Sequence, residues 1–111
     1  MAEIWGYKIF DYDDGVIKFI FHGVNNSRVV PIEQWVKAEI KEVRDSAGPT
    51  YQSGFHIFTS WEDVQKWPGD MNGRVVIRVK ARGIRQKPTK TRVLLADELY
   101  VANYWGLADG A

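Results

Sequence analysis

His56 is the side chain in this sequence best suited to acid–base work, because an imidazole changes charge near neutral pH. It is one of two histidines, the other being His22. Tyr51 and Ser53 precede it in Tyr51-Gln-Ser-Gly-Phe-His-Ile-Phe58, and Glu62 follows shortly after. A base supported by a phenol and a carboxylate is the equipment of a small transferase or hydrolase. The same residues have a plainer use, in which His56 packs beside Phe58 and hydrogen-bonds a backbone carbonyl. Both readings stay open. Ser53-Gly54 lacks the Gly-x-Ser-x-Gly frame of a nucleophile elbow, so the pair reads as a turn that contacts a ligand. His22 and His56, with Asp11 or Asp13, have no partner at i, i+2 or i, i+4 spacing, so no metal site is expected. The phosphate-cradling glycine loops are missing, and no cofactor is expected.

A second constellation is electrostatic. The net charge of +1 hides a segregation. Residues 1–70 carry seven basic and eleven acidic side chains, whereas residues 74–92 carry eight basic and no acidic ones, namely Arg74, Arg78, Lys80, Arg82, Arg85, Lys87, Lys90 and Arg92. Arg74, Arg78, Lys80 and Arg82 alternate with Val75, Ile77, Val79 and Ala81, with Val76 alone breaking the basic row. A strand here would place the four cations on one face, with i, i+2 neighbours about 6.6 to 7 Å apart. Phosphates of a nucleic-acid strand recur on a similar scale. With an exposed Trp or Tyr nearby, such a face would bind single strands by charge and stacking. It would also suit an acidic or phosphorylated partner. The alternative is a solvated face neutralised by neighbouring acids such as Asp97 and Glu98.

These residues need elements to position them. Residues 4–11 alternate as a strand, Asp13-Asp14-Gly15 is a hairpin turn, and Val16 to Phe21 returns. Arg28–Val30 adds a short strand before Pro31. Residues 32–44 fit a helical period through Ile32, Trp35, Val36, Ile40 and Val43, yet they also read as a strand from about Trp35, and the strand is slightly preferred. Gly54 is expected to turn the chain with φ above zero. Phe55 to Phe58 is then a strand, with Phe55 and Ile57 on one face and His56 and Phe58 on the other. Thr59 or Ser60 caps a short helix over about 60–67, with Trp61, Val64 and Trp67 on one apolar face and Pro68-Gly69 as the stop. Arg74–Arg82 and Arg92–Val101 are strands of a second hairpin, joined by a basic loop from Gly83 to Thr91. Tyr104 and Trp105 pack in a tail.

Length and composition narrow the class. A chain of 111 residues is expected to form a single domain, 1–111, with a modest core. It contains no cysteine, which suits a reducing compartment and a cytoplasmic protein. No apolar run approaches the roughly 20 residues of a membrane span, and the start reads as a strand rather than a leader. There are five each of Trp, Tyr and Phe, enough to fill a small core or to expose rings for binding.

The Tyr51-x-Ser-Gly-Phe-His-x-Phe pattern, followed by a short Glu-Asp helix and a Val-rich strand, resembles a loose set of small uncharacterised phage and environmental proteins. Trp35-Val-Lys-Ala38 is similar to what precedes the segment there, and the likeness covers about residues 35 to 101. Val64 stands where that set has a small Ala. The resemblance implies no reaction. Separately, a His, a Tyr and a Glu from separate strands in a small sheet resemble the pattern of ADP-ribosyl-transferring folds, here at no diagnostic spacing. The expected architecture is α+β: a mainly antiparallel sheet of about five or six strands, compatible with a half-barrel, with one short helix. The leading functional expectation is a non-enzymatic binding module using the 74–92 hairpin and the His56 cleft. A small enzyme using His56, Tyr51 and Glu62, and a structural subunit forming a homo-oligomer through a sheet edge, are the alternatives.

Overall fold

In the first hairpin, β1 (Glu3–Asp13) pairs with β2 (Val16–Lys18), and Asp13 stands opposite Val16. That register leaves Asp14 and Gly15 as a two-residue loop, both at positive φ (49° and 80°), as a type I′ turn requires. The computed structural model describes residues 2–21, 24, 27–44, 48–88 and 92–102. His22, Lys90, Tyr104 and Trp105 lie outside the described residues. β2 ends three residues before Phe21, and the chain then folds back so that Arg28–Val30 lies beside it. Phe19 N donates to Arg28 O at 2.7 Å, and Val30 N to Ile17 O at 3.2 Å.

Residues 32–44 contain no helix; the chain bends at Glu33, whose φ is 59°, and then runs into strands. They form β3 (Trp35–Lys37) and β4 (Glu42–Arg44). Val36 is buried while Trp35 and Lys37 face outward, so the two-residue alternation of a sheet prevails over the helical period. β4 pairs with β5 (Thr50–Gln52) in a separate hairpin. β6 (Phe55–Phe58) follows, then α1 (Trp61–Gln65), β7 (Arg74–Gln86) and β8 (Val93–Tyr100). α1 is shorter than the span 60–67 suggests. Its cap is Ser60, whose Oγ accepts from Asp63 N at 3.1 Å. The α+β expectation therefore holds in its coarse form, a mostly antiparallel sheet with one short helix.

The second hairpin is longer than its sequence suggests. β7 runs on to Gln86, and the expected loop at Gly83 is strand. Gly83 has φ of 69°, and a Cβ there would stand 2.7 Å from Asp97 Cβ on β8. Around this pair the alternation slips by one residue on both strands. Ala81 and Ile84 both face the core from β7, as do Leu99 and Ala96 from β8. A glycine that breaks the period looks like a loop in sequence; here it lets the strand bend and continue.

The pairings run from β1 to β7, from β7 to β8, from β8 to β6, and from β6 back to β1 through Tyr7 and Phe58. The sheet thus closes on itself, with β2 and β3 extending it. The inward faces of these strands form the main core. Phe10, Ile57 and Leu99 are fully buried in it, each contributing about 1.5 to 3 kcal/mol. A smaller cluster lies on the outer face beneath α1, where Val64 packs with Ile9 and Phe58, and Tyr7, Trp67 and Val76 sit against them. Val76 interrupts the basic row for this reason: it stands opposite Ile9 in the sheet, under the helix. Trp61 departs from the expected apolar helix face, since it is 50% exposed and touches Tyr7 edge to face. No described helix is long and apolar enough to cross a membrane.

Candidate functional site

Two arrangements emerge, a pocket and an outer face. β2 and β6 share the edge of β1 opposite β7. β6 meets β1 at Tyr7 and β2 meets it from Asp11 onward, so the two strands part along Lys8–Phe10. A pocket of about 650 Å³ opens there. Tyr51, Ser53, Gly54 and His56 all line it, with Val43 from β4 and Asp63, Lys66 and Trp67 from α1 and its exit. Glu62 is not part of that lining; it is ion-paired with Lys66 at 2.9 Å. The His–Tyr–Glu set is therefore brought together only in its first two members.

Ser53 and Gly54 hold the wall in shape. Ser53 Oγ accepts from Lys41 N at 2.9 Å and donates to Glu39 O at 3.3 Å, pinning the base of the β4–β5 hairpin. Gly54 does not take the positive φ its sequence suggests. Its missing side chain serves close packing instead, because a Cβ would stand 2.8 Å from an Arg85 guanidinium nitrogen and 2.9 Å from Ala96 O. Arg85 ties this turn to the sheet. Its Nε donates to Asp97 Oδ1 at 2.9 Å, Nη1 to Gln52 O at 2.9 Å and Nη2 to Ser53 O at 2.6 Å.

Sequence reasoning passed over Lys8. On β1 it shares the inward parity of Ile4 and Phe10, and a lysine on the apolar face of a strand is the signal that marks it. Its Nζ donates to His56 O at 3.1 Å and stands 5.9 Å from the ring centres of both Phe10 and Phe55. Burial lowers its pKa from the ordinary 10.5 to about 8.

The outer face carries the other arrangement. Trp35 on β3 stands opposite Tyr100 on β8, Tyr100 opposite Lys80 on β7, and Lys80 opposite Trp5 on β1. One row thus crosses four strands, about 14 Å at the ordinary strand spacing. Lys80 Nζ lies 5.1 Å from the Trp5 ring centre and 5.9 Å from that of Tyr100, and the Arg78 guanidinium lies 4.8 Å from Trp5. Trp5 nonetheless remains 49% exposed. Trp35 and Tyr100 tilt against each other at 5.6 Å, and the Arg82 guanidinium stacks 3.9 Å from Trp35.

The basic row splits by partner. Arg82 makes a two-point pair with Glu98 at 2.8 and 3.1 Å, which holds the Glu98 carboxyl below its ordinary range and raises Arg82. Arg74 Nε binds Asp11 Oδ1 at 2.9 Å, its other end reaches Asp70 O, and Arg28 binds the second Asp11 oxygen. The Arg74 hydrogen bond is the chief reason that the Asp11 pKa is lowered, with Arg28 adding to it against the opposing effect of burial. Arg92 pairs with Asp63 at 3.2 Å. Arg78 and Lys80 differ in that, among the described residues, their contacts are with aromatic rings and not with carboxylates. The chain matches no protein-family model, no curated protein and no solved structure.

Proposed function

We propose that this chain is a non-enzymatic binding module for single-stranded nucleic acid, docking the strand across its outer face. The carrying observation is the cross-strand row Trp35–Tyr100–Lys80–Trp5, with Arg78 beside it. Rings offer flat surfaces on which any base stacks, and the interleaved cations meet phosphates. Arg74 and Arg82 brace the face through Asp11 and Glu98 rather than serving as spare charges. The resemblance of the Tyr51–Phe58 segment to small phage proteins supports a phage origin.

With two or three cations in play (Arg78, Lys80 and Lys37), affinity for a labelled single-stranded RNA or DNA should fall about tenfold between about 50 and 200 mM salt. An Arg78→Glu/Lys80→Glu protein should bind at least that much more weakly and lose most of the slope. A wild type that binds neither nucleic acid at the lower salt contradicts the proposal.

A further inference from the structure

We infer that the Lys8 pocket is a binding site for a small organic anion, one with an apolar or aromatic body whose carboxylate or phosphate meets the Lys8 ammonium. This site is independent of the nucleic-acid face. The Lys8 ammonium stands beside two aromatic rings and one backbone carbonyl. Its three donors include one spent on His56 O, and among the described residues no carboxylate lies within ion-pair distance of it. Phe10 and Phe55 flank it. A cation in apolar surroundings without a counter-ion gains most from an anion that enters with its own apolar body, because the ligand both neutralises the charge and covers the rings.

The pocket is built to that scale. At about 650 Å³ it lies within the range of small-molecule sites. Phe19, Tyr51 and Trp67 supply apolar wall; Lys87 also lines the space, as do Lys66 and Arg92, which are ion-paired with Glu62 and Asp63. The one acid there, Asp63, is engaged by Arg92. The β4–β5 hairpin contributes Val43 and Tyr51 as a cross-strand pair on one wall. The lowered pKa of Lys8 agrees with a charge left short of partners, and a bound anion would raise it again.

The test uses two fluorescent probes, anilinonaphthalene sulfonate and its uncharged counterpart N-phenylnaphthylamine. The wild type should bind the sulfonate at least about tenfold more tightly than the neutral probe, and Lys8→Met should remove that preference while retaining the neutral probe. Displacement by decanoate and by phenyl phosphate separates a carboxylate ligand from a phosphate. Equal sulfonate binding by wild type and Lys8→Met, or no preference for the sulfonate in the wild type, overturns the inference. If Lys8→Met does not fold, the wild type decides through pH. Sulfonate affinity should decline above about pH 8, where free Lys8 loses its proton. The neutral probe, run in parallel, reports any change in the shape of the pocket as His56, Tyr51, Asp63, Lys66, Lys87 and Arg92, which face it, change charge. A sulfonate affinity that stays level with pH overturns it equally.

Discussion

A Lys8→Met protein is expected to be more stable than the wild type at neutral pH. The lowering of Lys8 from 10.5 to about 8 arises from burial of its ammonium. A shift of that size corresponds to about 3 kcal/mol at most between folded and unfolded states. The sign follows from which state holds the proton. Between about pH 8 and 10.5 the unfolded chain keeps it and the folded chain has lost it, so Lys8 makes wild-type stability rise with pH across that window. Below about pH 8 both states are protonated and the folded state bears the full cost. Methionine fills similar space between Phe10 and Phe55 without charge, although the hydrogen bond to His56 O is lost at a cost of about 1 kcal/mol. The net gain is therefore about 2 kcal/mol near neutrality; it shrinks as the pH rises above about 8, and by pH 10.5 only the lost hydrogen bond remains, so the variant should be less stable by about 1 kcal/mol. Urea unfolding at both pH values checks it. A variant less stable than the wild type at neutral pH would show that Lys8 is held by favourable contacts rather than tolerated for a ligand.

Trp5→Ala is expected to weaken single-strand binding more than any other single truncation on the outer face. Trp5 ends the row, is half exposed, and has both Arg78 and Lys80 within 5.1 Å of its ring centre. Removing it deletes a stacking platform worth about 1 to 3 kcal/mol and frees two side chains whose positions its ring defines. The dissociation constant should rise roughly 10- to 100-fold in an anisotropy titration. The fold should survive, because Trp5 belongs to neither buried cluster. Trp61→Ala is the matched control, an equally exposed ring that pairs with Tyr7 rather than with the cations.

Local signals gave the elements and nothing about their closure. Asp13-Asp14-Gly15, the alternation at Arg74–Arg82 and the Ser60–Asp63 cap are short-range features, and each appears in the structure as its residues dictate. Residues 32–44 are ambiguous because the apolar spacing of so short a stretch suits either period; the slight preference for a strand from Trp35 holds, and pairing with β8 decides it. Gly83 misled because a positive-φ glycine inside a bent strand and a glycine in a loop look alike in sequence.

The site was legible to the same degree. Tyr51, Ser53, Gly54 and His56 are neighbours along the chain, and they share the pocket. Glu62 is nearly as close in sequence, but its position on α1 takes it to Lys66 instead. Lys8 is 48 residues from His56, and their contact depends on where β6 meets β1. The aromatic row likewise draws on β1, β3, β7 and β8, so its members converge only once the registers are known. The charge count over 74–92 located the basic face but could not separate Arg78 and Lys80 from the ion-paired Arg74, Arg82, Arg85 and Arg92.

The most direct measurement is a footprint of the indole N–H resonances while the protein is titrated with a short single-stranded oligonucleotide. Trp5 and Trp35, at the two ends of the row, should shift together, while Trp67 in the pocket lining stays in place. Shifts at Trp67 with Trp5 and Trp35 unmoved would place the ligand in the pocket and contradict the outer face as the docking surface.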